Sequence, residues 1–345
     1  MNTGKTHLAV AGTRRALLKA AGALPLVAGA LGLTLGASAM ADEDIAKFPS
    51  RPVTLIVPFP AGGATDITAR LVAEGLSRKW GQSVIVENRP GAGGNLGSEY
   101  VARAKPDGYT LVLGVTGSHG INTSLYKNMR FDPRKDFEPI TQATLYPNAI
   151  VVGNDVPAKN LTELIALIKK DGNQYSYGSD GNGTASHLGM ELLKNQGGFT
   201  LAHVPYRGSA PMITDLLGGQ IQVGITGLPA VQPYAKSGKL KVIAVTTAQR
   251  FPIAPDYPTV AEQGFPGYDA PPWSGFFAPK GTPKPLIDKI SADMRAVMAD
   301  PIAQKKIEAA GSEFTTSTPK DFRAFVKQEV AKWAEAVKIT GASVD

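Results

Sequence analysis

A short β-branched run, a glycine-rich loop and a helix-patterned segment follow one another repeatedly along this chain, and that order leaves few architectures open. Val53-Thr54-Leu55-Ile56-Val57 gives way to "PFPAGGATD", after which Ile67, Leu71, Val72 and Leu76 fall on one helical face. Val84 to Val86 runs into "ENRPGAGGNLG" and a second helical stretch, and Tyr109 to Leu113 leads through "GVTGSHG" toward "INTSLYKNM". The middle of the chain repeats the design with "NAIVVG", "LTELIALIKKDG", "YSYGSDGNGTASHLGMELLKNQ" and "LAHVPYRGSAPMITDLLGGQIQVGI", then the strand-like "KLKVIAVTT". Strands alternating with helices at this spacing predict α/β domains with mostly parallel sheets.

Proline is dense from Pro252 to Pro285, which predicts an extended crossing there. Beyond it the chain reads as helical to the end, with Thr318 and Asp321 around Pro319 as a helix cap. A chain of 345 residues holds two domains of ordinary size. Two α/β blocks joined by two crossings make a bilobed clamshell, with residues 46–148 plus 273–345 as one lobe and 149–272 as the other. The cleft between such lobes is a common ligand site, closed by hinge motion.

The first 41 residues contain no Asp or Glu and have the layout of an export signal. "TRRALLK", with Arg14 and Arg15 adjacent, looks like a twin-arginine signal. An Ala/Gly/Leu run follows, and Ala39 and Ala41 offer small residues for cleavage before Asp42. A membrane anchor is the other reading of this stretch; its Gly and Ala content, Pro25 and the A-x-A ending favour cleavage.

Removing 1–41 takes away Lys5, Arg14, Arg15 and Lys19, so 36 − 4 = 32 basic residues face 29 acidic ones and the charge falls from +7 to +3. That balance, with no long basic run, does not predict a nucleic-acid partner. There is no cysteine. Disulfides, thiolate metal sites and a lipidated cysteine are thereby excluded, and the mature chain is expected free in the periplasm, as a monomer and not embedded in the membrane.

The loop at Phe59 to Asp66 presents backbone N–H groups. The first amides of a helix lack intrahelical acceptors, and the peptide dipoles leave about half a positive charge there. Gly62 and Gly63 allow close backbone approach to an anion, Thr65 adds a hydroxyl, and Asp66 is expected to stabilise the first turn. "GSDGNGTASH", from Gly178 to His187, has the same logic. Two such mouths facing each other would hold a molecule with one or two carboxylates.

"RPVTLIVPFPAGGATDITARLVAEGLSRKWG", "SHGINTSLY", "HVPYRGSAPMITDLLGGQIQV" and "GFFAPKGTPKP" resemble the Bug, or TctC-type, family of extracytoplasmic solute receptors of tripartite tricarboxylate transporters. The likeness runs from about Phe48 to near the C-terminus. It implies a type II periplasmic binding fold, a carboxylated solute between the lobes, a membrane permease as partner, no catalysis and no cofactor. It also implies ligand contacts at Phe59, Ala61, Gly62, Gly63, Thr65 and Asp66, with Asn88 and Ser118 nearby, and at Gly183, Thr184, Ser186 and Tyr206 across the cleft. Where relatives carry an acidic or amide residue after the strand "IQVGI", this chain reads Thr226-Gly227-Leu228-Pro229, so no contact is carried over to that loop. A periplasmic enzyme or sensor partner on the same fold is the alternative, because fold alone does not set function.

Other chemistries find little support. Ser118-His119 and Ser186-His187 invite a hydrolase reading, but neighbours on a loop are expected to point apart, and no G-x-S-x-G elbow exists. His119, His187 and His203 lack metal-ligand spacing. "GAGGNLG" departs from the dinucleotide fingerprint, and no Gly-Lys-Ser/Thr makes a phosphate loop. Trp80, Trp273 and Trp333 read as packing residues, with Trp273 closest to the expected cleft. Among Arg70, Arg89 and Arg207, the first reads as a structural ion pair and Arg207, in a loop, as the candidate for carboxylate pairing.

Overall fold

The computed structural model describes Ile45 and residues 47–344; the signal-like segment 1–41 lies outside the described residues. In chain order the elements are β1 (Val53–Val57), α1 (Ala64–Trp80), β2 (Val84–Asn88), α2 (Asn95–Ala102), β3 (Thr110–Val115), α3 (Asn122–Leu125), β4 (Phe137–Leu145), β5 (Asn148–Gly153) and α4 (Leu161–Lys170). There follow β6 (Ser176–Ser179), α5 (Ala185–Gly197), β7 (Ala202–Pro205), α6 (Ser209–Leu217), β8 (Val223–Gly227), α7 (Leu228–Lys236) and β9 (Leu240–Val245). The chain ends with β10 (Trp273–Pro279), α8 (Lys284–Met298), α9 (Pro301–Ala309), β11 (Glu313–Phe314) and α10 (Pro319–Thr340).

The strands make two sheets, in the orders β11-β4-β10-β3-β1-β2 and β7-β6-β8-β5-β9, giving a bilobed α/β fold. Both sheets are mixed, where mostly parallel ones were expected. β1 pairs in parallel with β2 and β3, and β6 with β7 and β8, while β10 runs against β3 and β4, and β5 against β8 and β9. The reversal has a geometric cause. The chain leaves the first sheet at the C-terminal end of β4 and enters the second at Asn148; it returns from β9 and re-enters at Trp273. A strand that enters from the edge where its neighbours end must run against them.

That arrangement turns the C-terminal ends of both sets of parallel strands toward the same cleft, the ordinary place for ligands in open α/β sheets. It also accounts for β10, which lies inside the proline-dense stretch expected to be an extended crossing. All seven of its residues are buried between β3 and β4, and Pro271, Pro272 and Pro279 stand just before it or at its end, where ladder donors are not missed. Three further elements escaped the periodicity: β4, apolar and polar by turns without a clean period, α7, whose Pro229 and Pro233 mask a helix that starts with Pro in its first turn, and the two-residue β11, which interrupts the C-terminal stretch read as helical.

On α1 the buried stripe is Thr68, Ala69, Val72, Ala73 and Leu76, so Ile67 and Leu71 are only half-buried at its margin. Small residues let the helix lie close to the sheet. Thr318 caps α10 by accepting from the Asp321 N–H at 3.2 Å, the placement expected from the sequence.

α10 ties the two halves together. Its Phe322, Val326 and Val330 pack with β1, β3 and β10, while Trp333 and Ala336 pack with the core around α5. At its middle Glu329, 8% exposed, accepts the indole N–H of Trp273 at 2.7 Å and of Trp333 at 2.9 Å. Glu329→Ala orphans two buried donors and should destabilise the fold by about 3 kcal/mol in denaturant titration, whereas Glu329→Gln, which keeps an acceptor, should lose only about 1 kcal/mol.

Candidate functional site

A cavity of about 70 Å³ sits in the cleft, walled by the loops that follow β1, β3, β4, β6, β7 and β8. The first residues of four helices line it: Gly63 to Thr65 of α1, Thr184 to Ser186 of α5, Gly208 to Ala210 of α6, and Gly227 with Ala230 of α7. Each helix is at least nine residues long. Side-chain capping is confined to α5, where the Thr184 hydroxyl accepts from the His187 N–H at 3.3 Å; α1, α6 and α7 begin at Gly63, Gly208 and Gly227 with no side-chain cap. The leading amides of α1 and α6 therefore remain donors, whereas in α7 the Leu228 N–H is taken by the Pro147 carbonyl at 2.9 Å and Pro229 has none; four positive helix ends still share one small space. An anion is the species such a space favours.

Polar side chains complete the wall. Asn148, 2% exposed and at the start of the second sheet, has no hydrogen-bond partner for its Nδ2 among the described residues and lines the cavity. Buried donors are rarely left unpaired, so this amide is suited to an acceptor placed in the cavity. The Thr65 hydroxyl reaches the Tyr146 phenol, and burial raises that phenol well above its ordinary pKa, keeping it neutral. Asp180 accepts from the Thr226 hydroxyl at 2.6 Å and, more distantly, from Ser186 at 3.4 Å. Burial pushes its carboxyl up to about 6, against the smaller opposing pull of those two hydroxyls.

Of the candidates named from the sequence, Phe59, Ala61, Gly63, Thr65, Thr184 and Ser186 line this cavity. Gly62, Asp66 and Asn88 lie behind it and hold its rim in shape. Asp66 accepts from the Gly62 N–H at 3.0 Å, Arg70 Nε at 2.8 Å and Asn88 Nδ2 at 2.9 Å, and Asn88 Nδ2 also reaches the Phe59 carbonyl at 2.9 Å. Burial alone would raise the Asp66 carboxyl, but Arg70, the Gly62 amide and Asn88 outweigh it and hold the carboxyl below its usual range. Ser118, fully buried, and Gly183, which donates its N–H to His187 Nδ1 at 3.3 Å, do not line the cavity. Tyr206 and Arg207 line a neighbouring cavity that shares Phe59 and Asp180 with the first. Trp273 is buried away from it, bound to Glu329.

Sequence reasoning passed over Asn148, Asp180 and Ser209 and carried no contact over to the loop at Thr226-Gly227, yet all of these line the cavity. Asp180 stands inside the glycine-rich stretch already singled out, and Gly208-Ser209 opens a helix after a glycine just as Gly63-Ala64 does, so that signal was present. For Asn148 no local pattern exists, because its place depends on where the chain changes sheets.

Ser118 and His119 were expected to point apart, yet Ser118 Oγ lies 2.9 Å from His119 Nδ1. The wide turn over residues 117–121 folds one side chain back on the other. The pair is unsuited to hydrolysis: both residues are fully buried, the imidazole is packed on Phe137 and stacked 4.1 Å from Phe277, and burial drives its pKa down to about 3. No carboxylate orients the ring among the described residues. No cluster of three His, Asp or Glu poised for a metal occurs among them either.

Comparison with known proteins points the same way. Residues 68–341 match the family model of the tripartite tricarboxylate transporter family receptor. Protein BugT of Bordetella pertussis is 33% identical over 319 residues, 92% of this chain and 97% of BugT. Among solved structures, R. palustris Rpa4515 with adipate superposes with a TM-score of 0.83 at 37% identity, covering 86% of this chain and all of that one. The periplasmic binding protein BugD gives 0.82 at 41%, over 86% of this chain and 99% of its own. MatC from Rhodopseudomonas palustris with bound malate gives 0.80 at 31%, over 84% of this chain and all of MatC.

Proposed function

Because the chain belongs to the tripartite tricarboxylate transporter family of receptors, we propose that it captures a small carboxylic acid in the cleft cavity and hands it, unchanged, to a membrane permease. The observation that carries this reading is the unpaired, buried Asn148 amide among four helix N-termini, three of them without a side-chain cap. These are donors held ready for an acceptor. Size narrows the ligand further. A water-sized group needs ~10–15 Å³, so a cavity of about 70 Å³ suits a short aliphatic acid. Adipate and malate, the ligands of two relatives, are of that scale.

In this reading residues 46–148 with 273–345 and residues 149–272 are the two lobes that close on the acid, and Gly62, Asp66, Asn88 and Ser118 shape the site from behind. The permease recognises the closed form, because a ligand moves the equilibrium only by its differential affinity for the two states. The twin-arginine-like segment directs the chain to the periplasm. Among the described residues no helix is long and apolar enough to cross a membrane.

A thermal-shift panel of four- to six-carbon dicarboxylic, hydroxy and amino acids tests the proposal. A true ligand at 100 times its Kd should add about 2.7 kcal/mol, a rise of roughly 4 °C for a chain of this size. The acid should be recovered intact. Consumption of the acid, or no shift with any member, overturns the reading.

A further inference from the structure

Resting on that reading, we propose that Asp180 selects the ligand: the acid carries an ammonium or hydroxyl group on its chain, turned toward the Asp180 carboxylate, and plain dicarboxylates are disfavoured. A carboxylate on the wall of a cavity that otherwise draws anions calls for a reason. Thr226 and Ser186, its two hydroxyl donors, line the cavity themselves, so the carboxylate lies at the surface a ligand would touch. Neither donor is a cation, and no Lys, Arg or His forms an ion pair with Asp180 among the described residues. The helix ends and the Asn148 amide suit a ligand's carboxylate. Asp180 adds a single acceptor-only position, which a second carboxylate would meet with repulsion and a donor would satisfy. The wall is thus asymmetric in charge, and the molecule that matches it is asymmetric in the same sense.

The surroundings set the pH behaviour. Around Asp180 stand the Tyr146 phenol, kept neutral by burial, and beyond the shared wall Tyr206 and the exposed Arg207. Behind the loop His187 stacks on His203 at 4.5 Å; burial holds them at about 4 and about 3, so neither titrates near neutrality. Asp180, pushed up to about 6 by burial, is the group that changes charge between pH 5 and 7. A ligand donor binds the ionised form, so its affinity should fall as the pH drops through 6. A plain dianion should do the opposite.

Calorimetric titration with matched sets separates the outcomes: succinate, malate and aspartate; glutarate, 2-hydroxyglutarate and glutamate; adipate and 2-aminoadipate. In the wild type the amino or hydroxy member of at least one set should bind tenfold or more tightly than its plain counterpart, and that preference should weaken from pH 7 to pH 5. Asp180→Asn should erase the preference and its pH dependence while plain acids bind as well or better. If plain acids bind the wild type as tightly as their substituted partners, or Asp180→Asn keeps the preference because Arg207 already neutralises this wall, the inference is overturned and the receptor reading stands. If no acid of any set binds the wild type, the receptor reading fails and this inference with it.

Discussion

Gly117→Ala should leave the protein folded and yet weaken ligand binding by roughly 5- to 150-fold. Gly117 follows β3 at the cleft and begins the wide turn over residues 117–121; the residue before it has helical φ and ψ of −45° and −42°. A Cβ on Gly117 would stand 2.6 Å from the Gly183 carbonyl across the cleft, and 3.0 Å from that of Gly93 on its own side. The second contact asks a neighbouring loop to give by a few tenths of an ångström. The first sets a side chain against backbone of the loop after β6, which in the proposed clamshell belongs to the opposite lobe and moves away as the cleft opens.

The penalty therefore falls on the closed state. Overpacking of this kind typically costs about 1–3 kcal/mol, and a cost borne by the binding-competent state alone appears in full as lost affinity. Calorimetry would give the weakened Kd, circular dichroism an unchanged spectrum, and small-angle scattering a particle that stays expanded at ligand concentrations that compact the wild type. Wild-type affinity in Gly117→Ala would show that the cleft does not need to shut this far.

The site was legible in the sequence to the extent that it is built from local signals. Gly62-Gly63 and the run from Gly178 to His187 announce helix mouths because glycine and hydroxyl residues before an apolar helix mean the same thing wherever they occur. The two crossings between α/β blocks gave the cleft, and the family likeness added the individual contact residues. What stayed hidden is set by tertiary placement. The mixed direction of the sheets follows from the two returns at Asn148 and Trp273, and no periodicity records on which edge a strand enters. Asp66 reads locally as a first-turn stabiliser, and only the family likeness makes it and Asn88 ligand contacts; in three dimensions they grip the Gly62 amide and the Phe59 carbonyl. Ser118 and His119 show the converse, adjacent residues that pair because a wide turn brings them round.

Ser209→Asp should raise the melting temperature of the ligand-free protein slightly while reducing affinity for carboxylic acids by about two orders of magnitude. Ser209 is the first residue of α6, after an uncapped Gly208, and its Oγ lies 3.4 Å from where a Cβ of Gly63 would sit on the facing lobe. An acidic residue in the first turn of a helix is worth about 0.3–1 kcal/mol through the dipole. The same charge, about 5 Å from a bound carboxylate in surroundings of effective dielectric ~20, opposes it by about 3 kcal/mol, roughly 150-fold in Kd. Stability and binding move in opposite directions because they compete for the same amide donors. A helix end left uncapped is a local weakness in the empty protein, and the ligand relieves it. Ser209→Asn, similar in size to Asp and neutral, should retain binding and so separate charge from bulk. If Ser209→Asp bound acids as tightly as the wild type in calorimetry, the carboxylate would have to sit elsewhere than among these helix ends, and the uncapped glycines at Gly63, Gly208 and Gly227 would lose their functional explanation together.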